Sequence, residues 1–383
     1  MFQIVFGNVT SMKATPVSYN KTKLSWSKVA GADGYVIYRA LQGETSLSPI
    51  KTIENPDTVE YVDSGLTMGQ TYQYIVRGYV LIDGEKEYGN YLSAVTGTPV
   101  LVLTAPTVKA ASAGYNSIKI SWNKVSDANG YIVYRSTSKT GTFTGIKTIT
   151  SGSTLSFTNT GLTCGKTYYY MVRAYVNVNG ERMVSDDSSI CSATPKLTVP
   201  TVTLKSAGYN KIKVSWTKVT GANGYEIYRA TSKTAAQKLV KTVTSGSTLS
   251  FTNGSLTCGK NYYYTVKAYR TVNGKKVYSG SSTKKYAKPV PATPTVTLTK
   301  KSSTSITVKW TKVTGANGYE IYRATSKNGT YKKIKTVTKG ATVSYVNTGC
   351  KKSTRYYYKV RAYRTVSGKK VYGSYSTVKN LKL

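Results

Sequence analysis

Short stretches of alternating apolar and polar residues recur along the whole chain, separated by clusters rich in Gly, Asn, Thr and Ser. Lys23-Leu24-Ser25-Trp26, Ile118-Lys119-Ile120-Ser121-Trp122, Ile212-Lys213-Val214-Ser215-Trp216 and Ile306-Thr307-Val308-Lys309-Trp310 each alternate with a period of two. That is the pattern of a strand with one face buried. In the second repeat the same alternation places Tyr168, Tyr170, Val172 and Ala174 on one, inward face. Tyr131 and Val133 join them from a neighbouring strand, while Tyr134 and Tyr175 fall on the outer face. No apolar run approaches the ~20 residues of a membrane-spanning helix.

The strands belong to a long repeat. The four tryptophans, Trp26, Trp122, Trp216 and Trp310, are spaced by 96, 94 and 94 residues. Eight residues after each comes Gly-Tyr-x-x-Tyr-Arg, starting at Gly34, Gly130, Gly224 and Gly318. A tyrosine-rich block follows at Tyr72, Tyr168, Tyr262 and Tyr356, with a further tyrosine at Tyr79, Tyr175, Tyr269 and Tyr363. Beyond it lie Asp83-Gly84, Asn179-Gly180, Asn273-Gly274 and Ser367-Gly368. Asn-Gly and Asp-Gly favour a two-residue type I′ turn, because both central positions need positive φ, and Ser-Gly fits that turn less well. A repeat of this length is a whole domain, and its many short strands predict a sandwich of about seven strands.

A strand ending in Trp, then Gly-Tyr-x-x-Tyr-Arg, then Leu-Thr-x-Gly-x-x-Tyr, resembles the fibronectin type III family in its bacterial form. The pairs Leu66/Tyr72, Leu162/Tyr168 and Leu256/Tyr262 match that family's tyrosine corner, whereas the fourth repeat has Cys350 in place of Leu and Ser353 in place of Gly. The resemblance implies an all-β chain of four tandem immunoglobulin-like sandwiches, placed outside the cell or at its surface. Their expected extents are 12–99, 105–195, 199–289 and 293–383, after an extended segment at 1–11. Proline at the junctions predicts stiff linkers and an elongated, semi-rigid rod.

Composition narrows the chemistry. Histidine is absent, which removes the commonest general base and metal ligand. No phosphate-binding or dinucleotide-binding glycine motif is present, so neither catalysis nor a cofactor is expected. The net charge is +39. It is graded by repeat, from −1 over residues 1–104 to +6, +15 and +19 over residues 105–196, 197–290 and 291–383. Such a surface attracts polyanions in a salt-dependent way. An anionic wall polymer or acidic glycan is the expected partner; nucleic acid is allowed by charge but supported by no motif.

The hairpin tips concentrate this charge in Arg270, Lys275 and Lys276, and in Arg364, Lys369 and Lys370. The opposing reading is that lysine blunts exposed strand edges against aggregation. A second candidate surface is the outer aromatic face, Tyr134 with Tyr175, Tyr228 with Tyr269 and Tyr322 with Tyr363. It would serve a carbohydrate-binding or host-directed adhesin array, or be a cross-strand pair that merely stabilises the sheet. Glu226 and Glu320, the single acids of the last two repeats, are expected to pair with Lys267 and Arg361. Cys164 and Cys191 come within reach of a disulfide if the hairpin zips without interruption; free buried thiols are the alternative. The apolar segment 1–9 offers a strand for self-assembly into a filament by edge addition.

Overall fold

The computed structural model describes residues 7–101 and 103–383, and among them there are strands and turns but no helix. None of it is therefore a helix long and apolar enough to cross a membrane. By packing, the chain divides into two compact units. One comprises Met1–Lys109, Ser121–Ser156 and Tyr169–Cys191; the other comprises Ala110–Ile120, Phe157–Tyr168 and Ser192–Leu383.

Each repeat carries a three-stranded and a five-stranded antiparallel sheet. In the third repeat the smaller sheet orders Val202–Ser206, Ile212–Trp216 and Ser250–Asn253. The larger orders Lys238–Val243, Gly224–Ala230, Tyr262–Val272 and Lys275–Tyr278, with Lys285–Ala287 also paired to Tyr262–Val272. This makes eight strands where the pattern predicts about seven, because the last strand is broken in two. Ser279 and Ser282 break it: their hydroxyls accept the amides of Ala268 and Val266, each at 3.0 Å, in place of backbone carbonyls. As a result the register slips by two residues: Arg270 faces Val277, but Tyr264 faces Lys285.

The inward faces are those the alternation predicts. Tyr225, Ile227, Tyr264, Val266, Val214 and Trp216 form one buried cluster in the third repeat, and the first and fourth repeats have counterparts. Each tryptophan ring lies 5.2–5.4 Å from the tyrosine of the Gly-Tyr motif. That tyrosine's hydroxyl is satisfied locally; in the third repeat it accepts the Val219 amide at 3.0 Å. A phenol can be buried this way without an unpaired polar atom.

The tyrosine corner forms in all four repeats, with Tyr72, Tyr168, Tyr262 and Tyr356 accepting a backbone amide five residues upstream at 2.8–3.1 Å. In the fourth, buried Cys350 fills the leucine position, and Ser353 takes the glycine's left-handed conformation at φ 59°. The Ser367-Gly368 turn also keeps the common geometry, with φ of 46° and 76°, so the chain tolerates serine where Asn or Asp stands elsewhere.

The segment 1–9 offered for self-assembly lies partly outside the described residues, which begin at 7. Within the described part, Val9 is buried in the first repeat's own core.

Candidate functional site

The tips of the third and fourth repeats hold most of their cations in contacts within the chain. The tight turn at Asn273-Gly274 sets the pairing of Arg270 with Val277, Thr271 with Lys276 and Val272 with Lys275. Arg270 donates to the Gly221 carbonyl at 2.9 Å and lies 4.7 Å over the Tyr115 ring. Arg364 repeats the arrangement with Gly315 at 2.8 Å and Tyr209 at 4.5 Å. Lys276 pairs with Glu226 at 2.9 Å, and Lys370 lies 3.7 Å from Glu320. Lys275 and Lys369 alone among the six stand exposed without such a contact in the described structure. Of the six tip cations, four thus make a contact within the chain, and Lys276 and Lys370 among these keep 37% of their side chains exposed. Tyr115 and Tyr209 were missed, although the recurring tripeptides Gly114-Tyr115-Asn116 and Gly208-Tyr209-Asn210 mark them.

The outer tyrosine pairs do not form an open stacking face. Tyr175, Tyr269 and Tyr363 are only 2%, 4% and 3% exposed. Strand register explains part of this: Tyr269 lies opposite Gly224, so its ring folds across that glycine, and Tyr228 faces Thr265 instead. A cation closes the other side, with the ammonium groups of Lys276 and Lys370 4.4 and 4.3 Å from the ring centres of Tyr269 and Tyr363, and Arg182 4.2 Å from Tyr175. Tyr134, Tyr228 and Tyr322 are half-buried. An exposed aromatic pair does exist elsewhere in the third repeat: Tyr263 and Tyr286, with ring centres 5.3 Å apart and Tyr286 63% exposed. Its only sequence signal is Tyr286 itself, where the other repeats carry Thr96, Ser192 and Asn380.

The two lone acids sit on the outer face yet are buried, Glu226 at 5% and Glu320 at 1% exposure. Glu320 pairs with Arg361 at 2.7 Å, as expected, and also accepts the Tyr322 and Tyr372 hydroxyls at 2.9 and 3.2 Å. Burial by itself would raise its pKa. The Arg361 guanidinium, the Tyr322 hydroxyl and the Lys333 charge outweigh that and hold the carboxyl at about 2. Glu226 departs from expectation: it faces Lys267 in register but pairs with Lys276 across the hairpin, together with the Tyr228 and Tyr278 hydroxyls at 2.6 and 3.1 Å. Lys267 instead lies 5.6 Å from the Tyr228 ring. In both repeats the acid is consumed inside the fold and leaves the surrounding lysines uncompensated.

Like charges also face one another across strands. Lys205 lies opposite Lys213, Arg229 opposite Lys238, Arg323 opposite Lys332 and Arg355 opposite Lys382 in register, although the Arg229 guanidinium turns to Asn253 at 2.9 Å and that of Arg323 to the Tyr356 ring at 4.9 Å. The first two repeats place Ser48 and Thr144 opposite Arg39 and Arg135 at the second of these positions. Directly opposed like charges cost a few tenths of a kcal/mol each.

The Cys164–Cys191 disulfide is not formed; all four cysteines are free thiols. The interruption of the last strand, like that in the third repeat, accounts for this. The Cys191 thiol donates to the Tyr170 carbonyl at 3.6 Å, while Cys164 is buried in a cluster with Leu197 and the third repeat's core. Among the described residues no three His, Cys, Asp or Glu side chains gather to hold a metal.

Comparison with known proteins places these features. No family model matches the chain. Exoglucanase B of Cellulomonas fimi is 30% identical over 302 residues, 70% of this chain and 25% of that protein. Fibronectin type III domain-containing protein 7 of Mus musculus is 29% identical over 274 residues, 70% of this chain and 33% of that protein. The chain therefore spans a quarter to a third of the length of these relatives. A solved two-domain fibronectin type III segment of chicken tenascin is 17% identical with a TM-score of 0.33, covering 48% of this chain and 99% of that segment. With two antiparallel sheets, a Trp–Tyr centre and a tyrosine corner in each, the four repeats of this chain are fibronectin type III-like domains.

Proposed function

We propose that the chain is an extracellular spacer whose third and fourth repeats contact an anionic polymer, either a wall polymer or an acidic glycan. The observation that carries this reading is the charge imbalance of those repeats. They hold net charges of +15 and +19, each with one acid, and that acid is spent on internal partners. The opposed pair Lys205 and Lys213, both exposed, adds to it: cations facing one another across strands are relieved when phosphate, sulfate or carboxylate groups lie between them. The spacer part is supported by the repeats themselves and by the alignment of Exoglucanase B over only a quarter of its length, as a segment accompanying other parts.

The exposed Tyr263–Tyr286 pair favours a second reading, in which a saccharide ring stacks on the third repeat. Salt separates the two. Binding of the full chain to a sulfated or phosphate-bearing polymer is expected to weaken steeply as sodium chloride rises, with log K falling linearly in log salt. Saturable binding to a neutral glycan, unchanged by salt and lost in Tyr286→Ala, would replace the electrostatic reading by the stacking one.

A further inference from the structure

We propose that Tyr115–Gly221–Arg270 and Tyr209–Gly315–Arg364 are two copies of an interaction surface that recognises the following repeat and locks its joint. The partner is the next repeat of the same chain. Both copies lie within the second compact unit, which takes in the end of the second repeat that carries Tyr115.

The geometry is the same in each. The tyrosine projects from the end of one repeat onto a glycine in the next. A Cβ on Gly221 would fall within the Tyr115 ring's van der Waals envelope, and one on Gly315 within that of Tyr209. These glycines also have φ of 81° and 75°, the left-handed region. Only glycine meets both demands. The arginine also meets the ring, 4.7 Å from its centre for Arg270 and 4.5 Å for Arg364, while donating to that same glycine's carbonyl. Glycine backbone, ring and guanidinium thus meet as one three-part contact, of a kind that arginine's flat guanidinium makes well.

A second contact closes each joint. A Cβ on Gly165 would lie 3.0 Å from Val277, and one on Gly259 2.8 Å from Val371. These glycines follow Cys164 and Cys258, which are buried, and whose thiols feel the charges of Arg270 and Arg364 respectively. Each thiol is thus a reporter placed at its own joint.

The residue set is specific to the joints that use it. The first repeat carries Tyr19 at the tyrosine position, but the second repeat has Asp127 and Val176 where Gly221 and Arg270 stand in the third. The fourth repeat has Ser303 at the tyrosine position. The clasp therefore ties the second repeat to the third and the third to the fourth, and presents the two most basic repeats in a fixed relation.

Thiol alkylation of the full native chain, read site by site by mass spectrometry, tests this. In Tyr209→Ala the alkylation rate of Cys258 is expected to rise by about tenfold or more, with Cys164 unchanged; Tyr115→Ala should do the reverse. Arg364→Ala should follow Tyr209→Ala. Cys350, inside the fourth repeat's core, reports folding and should stay protected throughout. A Cys258 rate unaltered in both Tyr209→Ala and Arg364→Ala would overturn the proposal. So would a rise of Cys164 and Cys258 together in Tyr209→Ala while Cys350 stays protected, since two separate clasps would then not exist.

Discussion

Gly224→Ala is expected to destabilise the third repeat by about 3 kcal/mol or more, the cost of forcing a methyl group into a packed core where backbone must move. The added Cβ would clash with the Val243 carbonyl on the neighbouring strand and stand 2.6 Å from the Tyr269 hydroxyl. The tyrosine can swing away, but the carbonyl belongs to a paired strand, since Tyr225 faces Val243 in register. Relief therefore requires separating Lys238–Val243 from Gly224–Ala230. Urea denaturation of the full chain, followed by tryptophan fluorescence, should show one of its transitions moved to much lower denaturant. Gly254→Ala is the control: nothing lies within 4 Å of its Cβ position, so that variant should unfold like the parent.

Glu320→Gln should cost the fourth repeat about 2 kcal/mol at neutral pH. Removing one partner of a buried ion pair strands the others, here moderated because the cations reach solvent. Arg361 is 21% exposed, and Lys333 and Lys370 are 49% and 37% exposed. The pH dependence is the sharper sign. The carboxyl titrates near 4.5 when unfolded and at about 2 when folded. A lowered folded pKa contributes stability that is complete above the unfolded value and lost as pH falls from about 4.5 toward 2. Stability of the parent's fourth repeat should decline through that window, and the glutamine variant should lack this part of the decline. Equal acid sensitivity in both proteins would show that Glu320 is not the linked group. The first two repeats carry Val36 and Ile132 at this position, so the fold itself does not demand an acid there.

Architecture was legible because it is written in local, repeated patterns. The spacing of Trp26, Trp122, Trp216 and Trp310 gave the repeat, strand alternation gave the buried faces, and Asn273-Gly274 gave the turn. What alternation cannot supply is the third dimension of the outer face. Tyr269 has the outward parity, yet it is buried because Gly224 lies opposite and Lys276 returns over it from the hairpin. The same limit applies to the tips. Arg270 reads as a free cation until Tyr115, more than 150 residues earlier, is found beneath it. The Cys164–Cys191 pairing assumed a continuous ladder, and the serine interruption of the last strand removed that premise. Glu226 was placed opposite the right residue, Lys267, but a long lysine from the next strand reached it first.

The gradient of charge is a property of composition and survives these corrections, since the losses fall on particular side chains and leave most lysines at the surface. Lysine-reactivity footprinting of the full chain, with and without a bound anionic polymer at near-physiological salt, tests its role most directly. Protection is expected to concentrate in the third and fourth repeats, including Lys275 and Lys369 at the tips and the opposed pair Lys205 and Lys213. Protection spread evenly over all four repeats, or none in the last two while the polymer remains bound, would contradict it.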